Sequence, residues 1–170
     1  DGLTGGIKME EVMKKLLLTT AAVIALSGAA LADNSTSNVN QTGAGNSAGV
    51  NQVGSNAGGD SDVQQSGDGN IANVSQSDDG SDFSGTAPPI NISTIDQSGD
   101  GNTANVTQDT STLQILSESH VVQSGDGNGA DVVQYDDWQY SEVNQTSDGN
   151  TATVQQGDPA AAPFDQSFGN

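Results

Sequence analysis

The sequence predicts an all-β protein, a β-solenoid of the parallel β-helix type with five strand-arc-strand rungs and two facing parallel sheets. Only 32% of the 170 residues are hydrophobic and 4% aromatic, too few for the core of an ordinary globular domain. A six-residue motif, QSGDGN or a near copy, recurs five times along the chain. The residues around each copy alternate with the period of two that strands have. A repeat of this kind favours stacked rungs over a single compact core.

Residues 13 to 32 have the pattern of an export signal, and residues 1 to 32 are not part of the predicted fold. Residues 1 to 12 do not begin with Met and fit no targeting pattern, so we expect them to be a spurious upstream extension. From Met13 the chain has two lysines, an apolar run over 16 to 31, and small residues up to Ala32. This order is typical of a bacterial secretory signal peptide over 13 to 32, with cleavage after Ala32. Polar and small residues interrupt the apolar run, which argues against a membrane anchor.

The charge of the chain excludes two classes of partner. The formal net charge is -19, and the three basic residues, all lysines, lie before residue 33. Nucleic acids and anionic membrane surfaces need cations on the protein that binds them, so we predict that the mature chain binds no nucleic acid and no membrane. The chain has no cysteine, so its stability must come from backbone pairing and packing.

Five units align on the motif, at 35 to 52, 59 to 76, 91 to 108, 117 to 134 and 139 to 156. Each unit has a leading Gln, four residues that we call the glycine arc, an Asn, and a closing Gln eleven residues after the leading one. We call these Gln and Asn positions the ladder residues; they are Gln41, Asn46, Gln52, Gln65, Asn70, Gln76, Gln97, Asn102, Gln108, Gln123, Asn128, Gln134, Gln145, Asn150 and Gln156. The connecting arc between units varies from four to fourteen residues, so length varies along only one edge of the predicted solenoid.

Counting by twos from the motif identifies the buried face. Stepping back from the leading Gln meets Val or Ile in every unit, and stepping forward from the Asn meets Ala and then Val. The alternate positions vary freely, so the uniform face is predicted to lie inside. One unit cannot bury this face alone and must stack on its neighbours. Stacking places identical residues about 4.8 Å apart, where buried Gln and Asn amides can hydrogen-bond to their own copies.

Four of the five glycine arcs contain an aspartate: Asp68, Asp100, Asp126 and Asp148. Like charges about 5 Å apart repel by roughly 1 kcal/mol in water, so we predict that these carboxylates are gatekeepers that slow association between chains. Assembly should then accelerate as the pH falls towards the pI of about 4.1. Weak binding of a divalent cation by the stacked carboxylates is left open.

The glycine arcs do not have the pattern of ligand-binding loops, and no catalytic set is present. A phosphate loop needs a Lys and a following helix, whereas a strand pattern follows each arc here. Acidic residues near Asp78 have EF-hand spacing, but Pro89 occupies the position of the bidentate Glu. His120, the single histidine, falls on the variable outward face, where a solvated side chain is expected. We predict that the protein is not an enzyme and has no cofactor and no dedicated metal site.

The repeat Ser-x5-Gln-x-Gly-x-Gly-Asn-x-Ala-x3-Gln resembles the curlin repeat of bacterial curli, an extracellular functional amyloid. SESHVVQSGDGNGADVVQ at 117 to 134 and STSNVNQTGAGNSAGVNQ at 35 to 52 match it throughout, and the five curlin-type repeats occupy 33 to 156. The departures are Gly59, Asn91 and Gln139 in place of the initial Ser, and Ser147 in place of the first arc glycine.

This resemblance implies a secreted subunit that crosses the outer membrane unfolded through the curli secretion pore and polymerises with itself on a nucleator at the cell surface. It further implies pilus-like extracellular fibres that serve in biofilm matrix, cell adhesion and surface colonisation. Regular repeats without Lys or Arg favour the major subunit over the minor, nucleator subunit, which is the alternative. Curlin subunits usually carry a Gly-rich targeting segment before the first repeat, and only Asp33 and Asn34 stand at that position.

The ends of the repeat array suggest how chains would associate. Unit one of one molecule, set against unit five of another, would continue the Gln, Asn and Val columns between molecules. Residues 157 to 170 form a Pro-broken tail after the last unit. A monomeric solenoid that binds ice or polysaccharide through outward threonines is a further alternative, although these threonines are not regular from one rung to the next.

Overall fold

The fold is described here from a computed structural model, which covers residues 35–53, 58–78, 91–110, 117–135 and 138–157. The predicted upstream extension, the signal peptide with Ala32, and nearly all of the C-terminal tail lie outside these ranges. The described residues contain no helix that is long and apolar enough to cross a membrane.

Ten strands form two parallel sheets of five strands each, which confirms the predicted β-solenoid. The odd sheet consists, in spatial order, of β1 (Thr36–Thr42), β3 (Asp60–Ser66), β5 (Asn91–Ser98), β7 (Ser117–Ser124) and β9 (Tyr140–Gln145). The even sheet consists of β2 (Ser47–Val53), β4 (Ile71–Asp78), β6 (Thr103–Thr110), β8 (Gly129–Tyr135) and β10 (Thr151–Gln156). Each glycine arc therefore takes the chain from the odd sheet to the even sheet, and each unit forms one rung.

The register of the strands stacks every repeat position on its own copy. Val63 pairs with Ile95, and Ala72 pairs with Ala104. A slip of one residue would turn the whole apolar set outward, so burial of one face enforces this register. We expected each connecting arc to begin directly after the closing Gln, but β4 and β6 continue two residues further because those residues still pair with each other.

A narrow apolar seam runs between the two sheets. Val63, Ile95 and Val121 of the odd sheet and Ala104 and Val132 of the even sheet have no exposed surface. Full burial of a side chain the size of Val stabilises by about 1.5 to 3 kcal/mol. The seam contains only Ala, Val and Ile, so it is thin, and the polar residues on either side of it must also be accommodated inside.

The two glycines that four of the five arcs contain are needed for different reasons. Gly99 and Gly101 both have a positive φ, of 105° and 68°. A Cβ on Gly99 would collide with the carbonyl oxygen of Gly125 in the next rung, whereas a Cβ on Gly101 would meet no atom within 4 Å. The first glycine therefore serves both the turn and the close stacking of arcs, and the second serves the turn alone.

Replacing Gly99 by Ala should destabilise the fold more than replacing Gly101 by Ala. A left-handed backbone costs an L residue about 1 to 2 kcal/mol at either position, but only at Gly99 does the methyl group also strike the neighbouring rung. Chemical denaturation of the soluble mature chain, followed by circular dichroism, would measure both free energies of unfolding. Equal losses in the two variants would contradict the close stacking of the arcs.

Candidate functional site

The leading glutamines form a continuous ladder inside the solenoid. Nε2 of each Gln donates to Oε1 of the Gln in the next rung, at 2.8 Å for Gln65 to Gln97, for Gln97 to Gln123 and for Gln123 to Gln145. The bond from Gln41 to Gln65 is 2.6 Å long. The second hydrogen of these amides crosses to the other sheet, as from Gln97 Nε2 to the carbonyl of Ile71 at 3.0 Å. The ladder thus joins neighbouring rungs and also joins the two sheets.

The closing glutamines form a second ladder at the opposite edge of the core. Gln76 Nε2 donates to Gln108 Oε1, and Gln108 Nε2 donates to Gln134 Oε1, both at 2.9 Å. The ladder begins at Gln52 and ends at Gln156 with bonds of the same length. Because most of these amides have almost no exposed surface, the partners that stacking supplies are needed to offset their loss of water.

The asparagines of the ladder use main-chain groups, which the sequence did not predict. Oδ1 of Asn70 accepts the main-chain N–H of Asn102 at 2.9 Å, and its Nδ2 donates to the carbonyl of Gly99 at 2.8 Å. The expected amide-to-amide bonding between Asn copies is therefore replaced by bonding between a side chain and the backbone in the first four rungs. Asn is one methylene shorter than Gln, so at the corner its amide reaches the turning backbone of the next arc. Among the five ladder asparagines, all of which lie in the described residues, only Asn150 also donates to the side chain of its copy, Asn128, at 3.1 Å.

The four arc aspartates also accept main-chain hydrogen bonds. Asp68 Oδ1 accepts from the N–H of Ala44 at 2.6 Å, and Asp100 Oδ1 accepts from the N–H of Asp68 at 2.8 Å. Asp126 and Asp148 accept in the same way from the arc residue of the preceding rung, at 2.8 and 2.9 Å. We call this contact the arc clamp. The predicted stacking of these carboxylates is present, and each one also connects two rungs, a role that the repeat pattern did not predict.

The backbone of the glycine arc in the last rung differs from that of the other four arcs. Ser147 stands at the first arc position, and among the described residues the only non-glycine with a positive φ is Trp138, so Ser147 does not adopt the conformation of Gly99 or Gly125. Its carbonyl accepts from Asn150 Nδ2 at 2.6 Å. Asn128 Nδ2, which the pattern of the earlier rungs would pair with this carbonyl, is buried without a partner.

The outward face of the odd sheet carries one small cluster of titratable groups. His120 Nε2 lies 2.6 Å from Glu118 Oε1, and the His120 ring lies 6.0 Å from the ring of Tyr140. The pKa of the Tyr140 hydroxyl is raised by partial desolvation and then by the carboxylate of Glu142, with which it hydrogen-bonds. His120 therefore faces outward as predicted, but it is paired and half-buried and not freely solvated. Within the described ranges no three His, Cys, Asp or Glu side chains converge on a position that could hold a metal ion.

The two ends of the stack carry complementary parts of the ladder. Gln41 Oε1 in the first rung is buried and has no partner, whereas the equivalent oxygens of later rungs accept from the rung before. At the other end, Gln145 Nε2 donates to the carbonyl of Gly129 at 3.0 Å and, within the described residues, to no following Gln. The first rung thus lacks a donor of the kind that the last rung holds.

The fold and the site define a class of protein, a parallel β-solenoid held together by ladders of polar side chains. Comparison with protein-family models, with curated proteins and with solved structures finds no match for this chain.

Replacing Gln97 by Leu should destabilise the solenoid much more than replacing Gln64 by Leu. The first change leaves Gln65 Nε2, Gln123 Oε1 and the carbonyl of Ile71 short of a partner, at about 1 to 3 kcal/mol for each buried group. Gln64 lies on the exposed face of β3, in the same sheet as Gln97, and serves as the matched control. Urea denaturation of the soluble chain would measure both effects, and similar stabilities of the two variants would contradict the ladder's structural role.

Replacing Asp100 by Asn and by Ala should separate the charge of the arc aspartates from the arc clamp. Asn keeps an oxygen that can accept from Asp68 N–H and removes one negative charge, so we expect unchanged or higher stability and faster assembly. Ala removes both the charge and the acceptor, so stability should fall by about 0.5 to 1.5 kcal/mol. Unfolding free energies and thioflavin lag times would be measured side by side. Two variants with the same stability would rule out the clamp, and an unchanged lag time for the Asn variant would refute the gatekeeper role.

Proposed function

We propose that the mature chain is a structural subunit that polymerises end to end into an extracellular fibre of the curli-like functional amyloid type. The observation that supports this best is the unfinished leading Gln ladder. Gln41 Oε1 is buried without a hydrogen-bond donor, and Gln145 Nε2 at the other end has a hydrogen that the described residues leave unused. A second copy of the chain is the partner that supplies both missing groups in the correct geometry.

The edges of the sheets support the same proposal. β1 and β2 are the terminal strands at one end of the stack, and β9 and β10 are the terminal strands at the other. Unpaired strand edges are a template for pairing with another chain. Because both sheets are parallel and in register, an added molecule would extend each sheet without reversing its direction.

The biological setting rests on the resemblance to the curlin repeat and on the predicted signal peptide. From these we propose export across the outer membrane through a curli-type secretion pore, nucleation by a second subunit at the cell surface, and a role in biofilm matrix and adhesion. The high negative charge fits a subunit whose spontaneous assembly must be delayed until export is complete, because a net charge of -19 opposes association.

The other candidate functions have less support. A nucleator subunit would be expected to have less regular repeats, whereas four of the five glycine arcs here share a pair of glycines with positive φ. A monomeric solenoid that binds ice or polysaccharide would need a regular outward surface. The central outward column of the even sheet is not uniform: only two of its five members are identical, and it holds Gly49, Asn73, Asn105, Asp131 and Thr153.

The fibre proposal is tested by incubating the purified mature chain and examining it by electron microscopy and fibre diffraction. We expect unbranched fibres with a meridional reflection near 4.7 to 4.8 Å, which is the spacing between strands. Gln145→Leu, which removes the donor at the last rung, should slow growth, whereas Gln155→Leu on the exposed face of the last strand should not. A wild-type chain that stays monomeric for days would overturn the proposal.

A further inference from the structure

The two irregular glycine arcs are the two end arcs of the molecule. Units two, three and four share the arc SGDG, whereas unit one has TGAG and unit five has TSDG. Unit one therefore lacks the arc aspartate and has Ala44 there, and unit five lacks the first arc glycine and has Ser147 there. Both departures lie on surfaces that no other rung of the same molecule covers.

The hydrogen bonds of the glutamine ladders and of the arc clamp run from a donor in one rung to an acceptor in the next. This direction determines which donors or acceptors a neighbouring molecule must supply at each end of the stack. Leading and closing glutamines donate from one rung to the next, as from Gln123 to Gln145 and from Gln134 to Gln156. The arc clamp also joins a donor in one rung to a carboxylate in the next, as from Asp126 N–H to Asp148 Oδ1. A molecule added after the fifth rung must therefore supply Gln oxygens and an arc carboxylate from its own first rung.

The first rung can supply all of these groups except the carboxylate. Gln41 and Gln52 stand at the two Gln positions of that rung. The backbone of Ala44 follows the same course as that of the other arcs, since its N–H bonds to Asp68 Oδ1 and its carbonyl accepts from Gly69 N–H at 2.8 Å. The Ala44 side chain, however, has no oxygen. The N–H of Asp148, which corresponds to the donors at Asp68, Asp100 and Asp126, would find no arc clamp in the neighbouring molecule.

We propose that the junction between two subunits, with the fifth rung stacked in register on the first rung of the next copy, is the one interface in the fibre without an arc clamp, and that Ala44 thereby makes it weaker than the interfaces between rungs inside each subunit. The four interfaces inside the molecule each have the clamp. Ser147 adds to this difference, because its altered arc already engages Asn150 Nδ2, the group that would otherwise bond across the junction. The inference rests on the proposed fibre function, and it specifies the direction, the register and the weakest contact of assembly.

Cysteine cross-linking tests the direction and the register. The chain has no cysteine of its own, so engineered pairs give an unambiguous result. By the register of the odd sheet, Asn144 of one molecule would lie beside Asn40 of the next, about 4.8 Å away and within reach of a disulfide. Fibres grown from an equal mixture of Asn40→Cys and Asn144→Cys chains should give covalent dimers on oxidation, and fibres of either variant alone should not. Dimers from Asn40→Cys alone would reveal a head-to-head junction and overturn the proposal.

Ala44→Asn tests the missing clamp, because it adds an acceptor oxygen without adding charge. One additional hydrogen bond at each junction should lower the concentration of free monomer at the assembly plateau by about two- to tenfold. Gln64→Asn, on the exposed face of the second rung and away from the junction, is the control and should leave this concentration unchanged. Ala44→Asp should restore the acceptor and add a repelling charge, so its gain should appear mainly at high salt.

The outcomes separate the two proposals. If the wild-type chain forms no fibres, the proposed function fails. If it forms fibres that cross-link as expected but Ala44→Asn leaves the same residual monomer as the control, the missing clamp does not limit the junction and this inference is wrong. A circular dichroism spectrum and an unfolding midpoint equal to those of the wild type would show that Ala44→Asn has not changed the fold of the subunit itself.

Discussion

The solenoid depends on one constraint, that a glutamine amide buried between its sheets needs the amide of an identical glutamine in the rung above and another in the rung below. Gln97 is fully buried and accepts from Gln65, donates to Gln123, and donates also to the carbonyl of Ile71 in the other sheet. A shift of one residue in any rung would leave several such groups unpaired, at a cost of about 1 to 3 kcal/mol for each. This accounts for the fixed spacing of the two glutamines in every unit and for length variation that occurs only in the connecting arcs, where no ladder passes.

The polar ladders also compensate for a small hydrophobic core. The seam contains Ala, Val and Ile, and the inward positions beside it are occupied by Ser, Asn and Gln. In most domains polar residues at these positions would oppose folding, because water is lost and nothing replaces it. Here the buried glutamines exchange the lost water for the amide and carbonyl groups of neighbouring rungs. Stability therefore comes from contacts between adjacent rungs, as in other repeat proteins, and a single rung would have little stability by itself.

The fold could be predicted from the sequence because its determinants are local and periodic. The alternation around Val63 and Ile95, repeated at constant distance from an inward Gln, is sufficient to indicate strands, their inward face and their parallel register. The role of the arc residues could not be predicted in the same way. Whether Asp100 repels its neighbours or bonds to the N–H of Asp68 depends on how the two backbones lie in three dimensions, and the pattern SGDG is compatible with either. The same limit applies to Asn70, whose short side chain reaches the backbone of the next arc, a distance that spacing along the chain does not reveal.

The arc aspartates have opposite effects inside one molecule and between molecules. Inside, each carboxylate is held one rung away from the next by the paired strands, so the hydrogen bond to the preceding arc offsets a repulsion that is on the order of 1 kcal/mol in water. Between free molecules the repulsion acts at a distance and before any bond has formed, so the same charges slow the encounter. An aspartate at position 44 would add to that barrier, because it would lie on the first rung, the surface that the next subunit must contact. Alanine at that position lowers the electrostatic barrier to addition and at the same time removes a contact from the completed junction. The small side chain of Ala44 therefore makes both the association and the dissociation of a subunit faster than an aspartate at the same position would.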